Sequence, residues 1–319
     1  MRHVRAGLAG GLLALVSTLL SAGDFDGERA DATAGQNAGE ARRIVSLAPH
    51  LTELAFFAGI GELLVGAVDF SDYPGQARDL PVIGDAFRFD RERIVRLGTT
   101  DALAWDGGTP ASAVAGLREL GIDVHVIEID TLDGIAEAIE QLGALGARPE
   151  RAARRAREFR QALQQMRAGA PGSGPAPDSA SRAPIDLFYQ VSARPLFTLG
   201  AGHLINDVFA LCGARNVFDD LATPAASVGI EAVLARDPDA IVASAPEGRD
   251  PDEANADPLQ FWRAHESLTA ARCGNLLVVD PALLVRPTPR VLEGARRLCA
   301  WLDDEVRRDA DPACRTGRD

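Results

Sequence analysis

Short apolar runs alternate with longer segments in which apolar residues recur every three to four positions. The runs RIVSL, LLVGAV, DALAW and DVHVIEI predict strands, and the periodic segments HLTELAFFAGIG and ASAVAGLRELG between them predict helices. Strands that alternate with helices form parallel sheets whose two faces are covered by helices. The pattern therefore predicts an α/β lobe over residues 43–145.

The second half of the chain repeats this order. DRERIVRLGTTDALAW (90–105) and GIEAVLARDPDAIVAS (229–244) each place a glutamate before an apolar pair and then open a strand with Asp-Ala. The repetition predicts a second α/β lobe over residues 185–303, with Glu92 and Glu231 at matching places on the two lobes.

The segment between the two lobes differs from both in amino-acid composition. Residues 146–169 are rich in arginine and alanine and keep a helical period, which predicts one long, mostly exposed helix that connects the lobes. Proline, glycine, serine and alanine dominate residues 170–184, which predicts a flexible insert. The last stretch, 304–319, is predicted to be a charged tail.

The N-terminus carries the pattern of a secretory signal. Arg2 and Arg5 precede an apolar run that ends in the small residues Ser21 and Ala22, and this run is too short to span a bilayer. We predict a signal peptide over residues 1–22, a disordered leader over 23–42, and an exported, periplasmic mature protein.

Composition excludes some classes of function. The net charge is −13 and all 33 basic residues are arginine, which argues against a nucleic-acid partner because such proteins need a basic face. In an exported protein the four cysteines favour one or two disulfides, and the sequence leaves all three pairings open. No Cys-x-x-Cys pair is present, so we predict no metal site.

Signatures of catalysis are missing, and we predict that the protein is not an enzyme. There is no Gly-x-Ser-x-Gly elbow, Walker loop or His-Glu-x-x-His motif, and GAGHLIN (200–206) has asparagine where a dinucleotide site needs its third small residue. An exported α/β enzyme acting on a small acid or sugar remains an alternative. His50 and His203 begin corresponding helices, and we expect them to border a cleft.

Several aromatic residues stand in loops or at strand ends. Tyr73 lies between Asp and Pro, Phe87 follows shortly, Trp105 precedes Asp-Gly-Gly, and Tyr189 lies near the start of the second half. Aromatic side chains that face each other across two lobes would suit a large, flat, partly apolar ligand.

These motifs resemble those of a known family. RIVSLAPHLTELAFFAGIGELLVGAVDFSDYP, LPVIG, DRERIVRLGTTDALAW and RPTPRVLEGARRLCAWL are similar to segments of the periplasmic cobalamin-binding proteins of ABC importers, within the group that captures cobalamin, haem and ferric siderophores. The resemblance covers residues 43–303. It implies an α/β fold of two Rossmann-like lobes joined by a single long helix, with little hinge motion and a ligand cleft between the lobes. It also implies a monomer that delivers cobalamin or a related corrinoid to a permease, with haem or a ferric siderophore as the alternative ligand and no cofactor.

The resemblance assigns residues to the ligand. Tyr73 matches a tyrosine that packs on the corrin, Phe87 falls where the family has a tryptophan, and Trp105 matches a tryptophan. Ala225 falls where a second cleft tryptophan is expected, which leaves other corrinoids or a different chelate open. The remaining predicted ligand-binding residues are Pro49, His50, Tyr189 and Arg290, the last with either a cleft-facing or a structural role.

Two further roles come from the same resemblance. Glu92 and Glu231 match the glutamates, one per lobe, that dock onto arginines of the membrane permease. Cys212 and Cys299 match the family's disulfide, whereas Cys273 and Cys314 have no counterpart.

Overall fold

The N-terminal lobe is built on a four-stranded parallel sheet with the order β2-β1-β3-β4. A computed structural model describes residues 42–85, 87–170, 183–245 and 257–307 of the chain. The strands of this first sheet are β1 Ile44–Ser46, β2 Leu64–Ala67, β3 Asp101–Trp105 and β4 Asp123–Ile127. Its helices are α1 Pro49–Ala58, α2 Arg91–Arg96, α3 Ala111–Glu119 and α4 Leu132–Gly143, with 3-10 turns at Gly61–Leu63 and Gly75–Asp79.

The C-terminal lobe repeats the sheet of the first lobe. Its four parallel strands follow the order β8-β5-β10-β11, which matches β2-β1-β3-β4 strand for strand. These strands are β5 Ile185–Gln190, β8 Ala214–Asn216, β10 Ala240–Ser244 and β11 Leu276–Val279. A small antiparallel sheet contains β6 Ser192–Ala193, β7 Leu196–Leu199 and β9 Ala225–Ser227. The helices are α6 Ile205–Leu211, α7 Ile230–Arg236, α8 Gln260–Arg263, α9 Thr269–Arg272, α10 Pro281–Leu284 and α11 Val291–Trp301. The predicted α/β class and two-lobe architecture are confirmed.

Local sequence explains where the helices begin. Pro49 occupies the first turn of α1, where its missing N–H costs nothing. The carboxylate of Asp90 accepts a hydrogen bond from the Arg93 amide and caps α2. Thr131 caps α4 in the same way through the Gly134 amide.

The connecting helix, α5, runs from Pro149 to Gly169 and is less exposed than its composition predicts. Four residues form an apolar stripe along one side of this arginine-rich helix and are fully or almost fully buried: Ala152, Ala156, Phe159 and Leu163. The stripe belongs to a hydrophobic cluster that contains residues of both lobes. Small residues make this packing possible, since a Cβ on Gly143 of α4 would lie 2.0 Å from that of Ala152. Most residues of α5 are exposed, as the sequence predicted, but this stripe is part of the hydrophobic core.

The ordered C-terminal lobe extends past the predicted boundary at residue 303. The chain continues from α11 through a wider helical turn, Leu302–Arg307, in which Leu302 and Val306 are buried. Arg307 donates hydrogen bonds to the carbonyls of Cys212 and Gly213, at 2.7 and 3.0 Å. The first residues of the predicted charged tail thus belong to the lobe, because apolar residues recur there at helical spacing.

One disulfide joins α6 to α11. Cys212 and Cys299 are bonded, with their Cα atoms 4.6 Å apart, which confirms the pairing that the resemblance implied. Cys273 lies at the end of α9, and Cys314 lies outside the described residues. The predicted signal peptide, nearly all of the predicted leader and most of the predicted insert also lie outside them. Among the residues that are described, no helix has both the length and the apolar composition needed to cross a membrane.

Candidate functional site

The two lobes meet where loops from the first sheet face residues 280–290 of the second lobe. Tyr73 follows β2, and the guanidinium carbon of Arg290 lies 3.9 Å from the centroid of its ring. Arg290 therefore covers one face of this ring, yet 46% of the residue is exposed. A half-exposed aromatic ring with one face covered leaves the other face available to a flat ligand.

Arg290 is also half of an ion pair between the lobes. Its Nε and Nη2 atoms donate to the two carboxylate oxygens of Glu53 on α1, at 2.9 and 2.6 Å. The Glu53 side chain is only 4% exposed. The hydrogen bonds that Arg290 donates to Glu53 raise the pKa of Arg290, outweighing its partial burial. Of the two roles that the sequence left open for Arg290, this geometry favours the structural one.

A second ion pair crosses the boundary at Arg286, which sequence analysis missed. Arg286 donates to the Asp72 carboxylate at 2.9 Å and to the Phe70 carbonyl at 3.5 Å. Burial alone would raise the pKa of Asp72, but the hydrogen bond and the charge of Arg286 outweigh it, so the pKa is lowered. The available signal was the arginine that opens RPTPR, four positions before Arg290.

His50 and Trp105 form an aromatic wall beside these ion pairs. Their ring centroids are 5.0 Å apart and their planes meet at 86°. His50 is 6% exposed, and its Nε2 atom has no hydrogen-bond partner among the described residues. Burial, reinforced by the positive charge of Arg286, lowers the pKa of His50 to about 3. The imidazole is therefore neutral at physiological pH.

Trp105 is the last residue of β3, and two glycines that follow it allow the next turn to pack closely against its ring. A Cβ on Gly108 would lie 2.3 Å from the indole ring, so the Trp-Asp-Gly-Gly sequence lets the following turn fold against the indole. Trp105 keeps a partly exposed position at the carboxyl end of its strand, where ligands of such sheets bind. Pro49, at the start of α1, is also partly buried.

Two exposed phenylalanines lie in loops of the first lobe that are joined to each other. Phe87 is 75% exposed, in a turn where the Asp85 carboxylate accepts hydrogen bonds from the amides of Phe87 and Arg88. Phe70, which sequence analysis did not select, is 79% exposed and has a φ of 64°, a conformation that large side chains rarely adopt. The two loops are joined by a hydrogen bond from the Asp69 amide to the Gly84 carbonyl, at 2.9 Å.

The structure corrects the placement of Tyr189, which was predicted to bind ligand. Its strand, β5, lies inside the second sheet between β10 and β8, and the residue is fully buried. Its hydroxyl lies 2.6 Å from Ser244 Oγ, and burial raises its pKa. Tyr189 is a core residue because β5 is a central strand. Ala225, where the resemblance led us to expect a cleft tryptophan, is exposed and pairs with Leu199 in the small antiparallel sheet.

The two glutamates predicted to dock onto a permease occupy equivalent positions. Glu92 is the second residue of α2 and Glu231 the second residue of α7, and both are exposed. Each helix leads into the equivalent strand of its sheet, β3 or β10. Glu92 lies 3.6 Å from Arg96 Nη1 in an exposed pair, which contributes little.

A cavity of about 980 Å³ opens between α1, α5 and α11. Tyr73, Arg290 and Glu53 contribute to its walls, whereas His50, Trp105, Phe87 and Arg286 do not. The Tyr73–Arg290 stack thus stands at the border between this cavity and the cleft residues.

Three side chains close enough to share a cation lie where β3 and β4 begin, at the opposite end of these strands from Trp105. Oxygen and nitrogen atoms of Asp101, Asp123 and His125 lie within 4.8 Å of one another. Asp101 already pairs with Arg42 and lies 2.8 Å from His125 Nε2. These contacts describe an ion-pair network at the start of β3 and β4.

Comparisons with known proteins place this geometry in context. Residues 44–283 match the family model described as periplasmic binding protein. A vitamin B12-binding protein of Vibrio cholerae serotype O1 is 37% identical over 263 residues, covering 82% of this chain and 89% of the relative. One from Pectobacterium carotovorum is 32% identical over 261 residues, with 82% and 88% coverage.

Solved structures show the same similarity. The periplasmic vitamin B12 binding protein of Vibrio cholerae superposes with a TM-score of 0.71 at 37% identity, covering 82% of this chain and 97% of the other. A periplasmic haem-binding protein from Roseiflexus sp. RS-1 has the same TM-score, 0.71, at 21% identity, with 84% and 100% coverage. The second likeness concerns the fold alone.

Proposed function

Since the chain belongs to the periplasmic binding protein family, we propose that it captures cobalamin or a related corrinoid between its lobes for delivery to an ABC importer. The observation that carries the proposal is Tyr73, a half-exposed ring braced on one face by Arg290. A corrin is large and flat, and an aromatic face of this kind suits it. Trp105 and Phe87 provide further aromatic surface. Binding in this mechanism involves no bond making or breaking.

The charges at the lobe boundary support a corrinoid over the alternative ligands. Arg286 and Arg290 both have carboxylate partners within the protein, Asp72 and Glu53. An anionic ligand, such as haem with its two carboxylates, would have to displace one of these partners in order to pair with either of these two arginines. The periphery of cobalamin carries neutral amides, which can accept and donate hydrogen bonds without breaking either pair.

Export and docking complete the proposal. Residues 1–22 are the signal that directs the chain to the periplasm, where it acts as a monomer. Glu92 and Glu231, exposed at equivalent places on the two lobes, dock onto arginines of the permease. Haem or a ferric siderophore is the alternative ligand within the same family.

A ligand panel tests the proposal directly. Purified mature protein is mixed separately with cyanocobalamin, cobinamide, haemin and a ferric hydroxamate, then desalted, and the ligand absorbance is measured in the protein fraction. We expect about one equivalent of corrinoid to remain bound, with cobinamide showing whether the corrin ring alone suffices. A protein fraction without corrinoid absorbance would overturn the proposal, and retention of haemin or the iron chelate would identify the alternative.

A further inference from the structure

We propose that the Glu53–Arg290 pair positions Tyr73 at the cleft, and that Arg290 acts through this ring instead of binding the ligand itself. The part of this proposal in which the Tyr73 ring binds a corrinoid rests on the function proposed above. The positioning of the ring is a property of the protein without ligand.

One edge and one face of the Arg290 guanidinium are occupied by contacts within the protein. A guanidinium forms hydrogen bonds along its edges and stacks through its faces. One edge, carrying Nε and Nη2, bonds both carboxylate oxygens of Glu53. The group also lies over the ring of Tyr73, with its central carbon 3.9 Å from the ring centroid. A ligand could reach only the Nη1 end and the opposite face of the group.

The ion pair holds the guanidinium at a fixed place between the lobes. Glu53 lies on α1 of the first lobe, and Arg290 immediately precedes α11 of the second. Because the Glu53 carboxylate is almost fully buried, separating it from Arg290 would leave an uncompensated charge inside the protein. Bidentate geometry adds directional restraint that a single hydrogen bond lacks.

Tyr73 has no comparable restraint of its own. Among the described residues, no hydrogen bond to its hydroxyl is found, and the ring borders the cavity of about 980 Å³ between α1, α5 and α11. Without Arg290 the ring would have space to turn away from the cleft. The stack on Arg290 is the contact that keeps the ring in a ligand-ready pose.

This arrangement also selects among ligands by charge. The guanidinium behind the ring withdraws electron density from it, which weakens the attraction of the open face for a cation. A flat ligand of low net charge is favoured over a cationic one. The Glu53–Arg290 pair thus contributes to specificity without touching the ligand.

Fluorine NMR can follow Tyr73 directly, since the chain contains two tyrosines, Tyr73 and Tyr189. Protein labelled with 3-fluorotyrosine should give two ¹⁹F resonances, which Tyr73→Phe assigns. The test variant is the double substitution Glu53→Met with Arg290→Met, which removes both charges and so avoids burying one of them alone. The matched control is Arg297→Met, an exposed arginine of α11, the helix that follows Arg290. Arg290→Lys keeps the charge but loses the planar stack.

We expect the double variant to shift or broaden the Tyr73 resonance in ligand-free protein while the Tyr189 resonance, which reports an intact core, stays in place. Cyanocobalamin affinity should fall by up to about fivefold in the double variant and in Arg290→Lys, and by no more than in Tyr73→Ala, which removes the ring itself. Arg297→Met should match the wild type. Lower affinity with an unmoved Tyr73 resonance would mean that Arg290 contacts the ligand, and would overturn the proposal. A moved resonance with unchanged affinity would overturn it equally.

Failure of the proposed function gives a different result. In that case no variant, nor the wild type, binds cyanocobalamin, whereas the ligand-free spectra still decide whether the pair positions Tyr73. If the Tyr189 resonance also moves in the double variant, the core of that variant is disturbed, and the spectrum of Arg290→Lys decides instead. An unchanged Tyr73 resonance in Arg290→Lys would refute the proposal that the planar guanidinium positions the ring.

Discussion

His50 should make the stability of the folded protein depend on pH. In the folded chain its pKa is lowered to about 3 from the ordinary value of 6.5. Between these two values the unfolded chain binds a proton at this position that the folded chain does not. Stability is therefore greatest above pH 6.5 and falls as the pH is lowered towards 3, at up to about 1.4 kcal/mol per pH unit.

Replacing His50 with Phe keeps a ring against Trp105 but removes the titrating group. From pH 8 to pH 5 the histidine alone should cost the wild type about 2 kcal/mol of unfolding free energy, from the linkage relation. Urea unfolding of the two proteins at pH 8, 7, 6 and 5 measures this difference. His203→Phe provides a comparison, because burial lowers the pKa of His203 to about 4 and its loss should reduce the pH dependence by a similar amount.

The quantity to compare is how steeply the unfolding free energy of each protein changes with pH. This slope is independent of any constant loss of stability caused by the substitution. The His50→Phe protein should lose less free energy on acidification than the wild type, whatever its stability at pH 8. Carboxylates such as Asp72 titrate in both proteins, so their contributions cancel when the pH dependence of one protein is subtracted from that of the other. Equal slopes would refute the argument that His50 is held neutral in the folded state.

Three further predictions address the ligand, the disulfide and docking. Tyr73→Ala should weaken cyanocobalamin binding about five- to tenfold, because an aromatic contact contributes roughly 1 kcal/mol beyond area burial. The melting temperature should fall by only a few degrees. Calorimetric titration and thermal melts measure the two effects, and a loss of stability without a loss of affinity would contradict this prediction. Replacing Cys212 and Cys299 together with Ser should cost about 4 kcal/mol in urea unfolding, since the disulfide closes a loop across a sequence separation of 87 residues, and an unchanged midpoint would count against it. Glu92→Ala combined with Glu231→Ala should leave ligand affinity unchanged but abolish ligand delivery to permease-containing proteoliposomes, and normal uptake by the double variant would exclude these residues from docking.

The repeated architecture was predictable because it depends on local pattern. Apolar runs and helical periods specified the strands and helices of both lobes, and the matching order around Glu92 and Glu231 revealed the repeat. In the structure these residues hold the same position in equivalent helices. Such features require only neighbouring residues in sequence.

The contacts between the lobes were not predictable in this way. Arg286 and Asp72 are 214 positions apart, and Arg290 and Glu53 are 237 apart, so no local pattern connects either pair. Tyr189 was misplaced for a related reason, since only the strand order shows that β5 is central. The buried stripe of α5 was obscured by abundant arginine, whose exposed side chains dominate the composition of a helix that is apolar on one side.

The stripe on α5 has a consequence for how the chain folds. Each lobe has one apolar cluster of its own, but a second, larger cluster includes residues of both lobes together with Phe159 and Leu163 of α5. Neither repeat therefore encloses its whole core alone. An isolated half would expose a large apolar surface to water. The duplicated lobes should therefore unfold in a single cooperative transition, as one folding unit assembled from two similar halves.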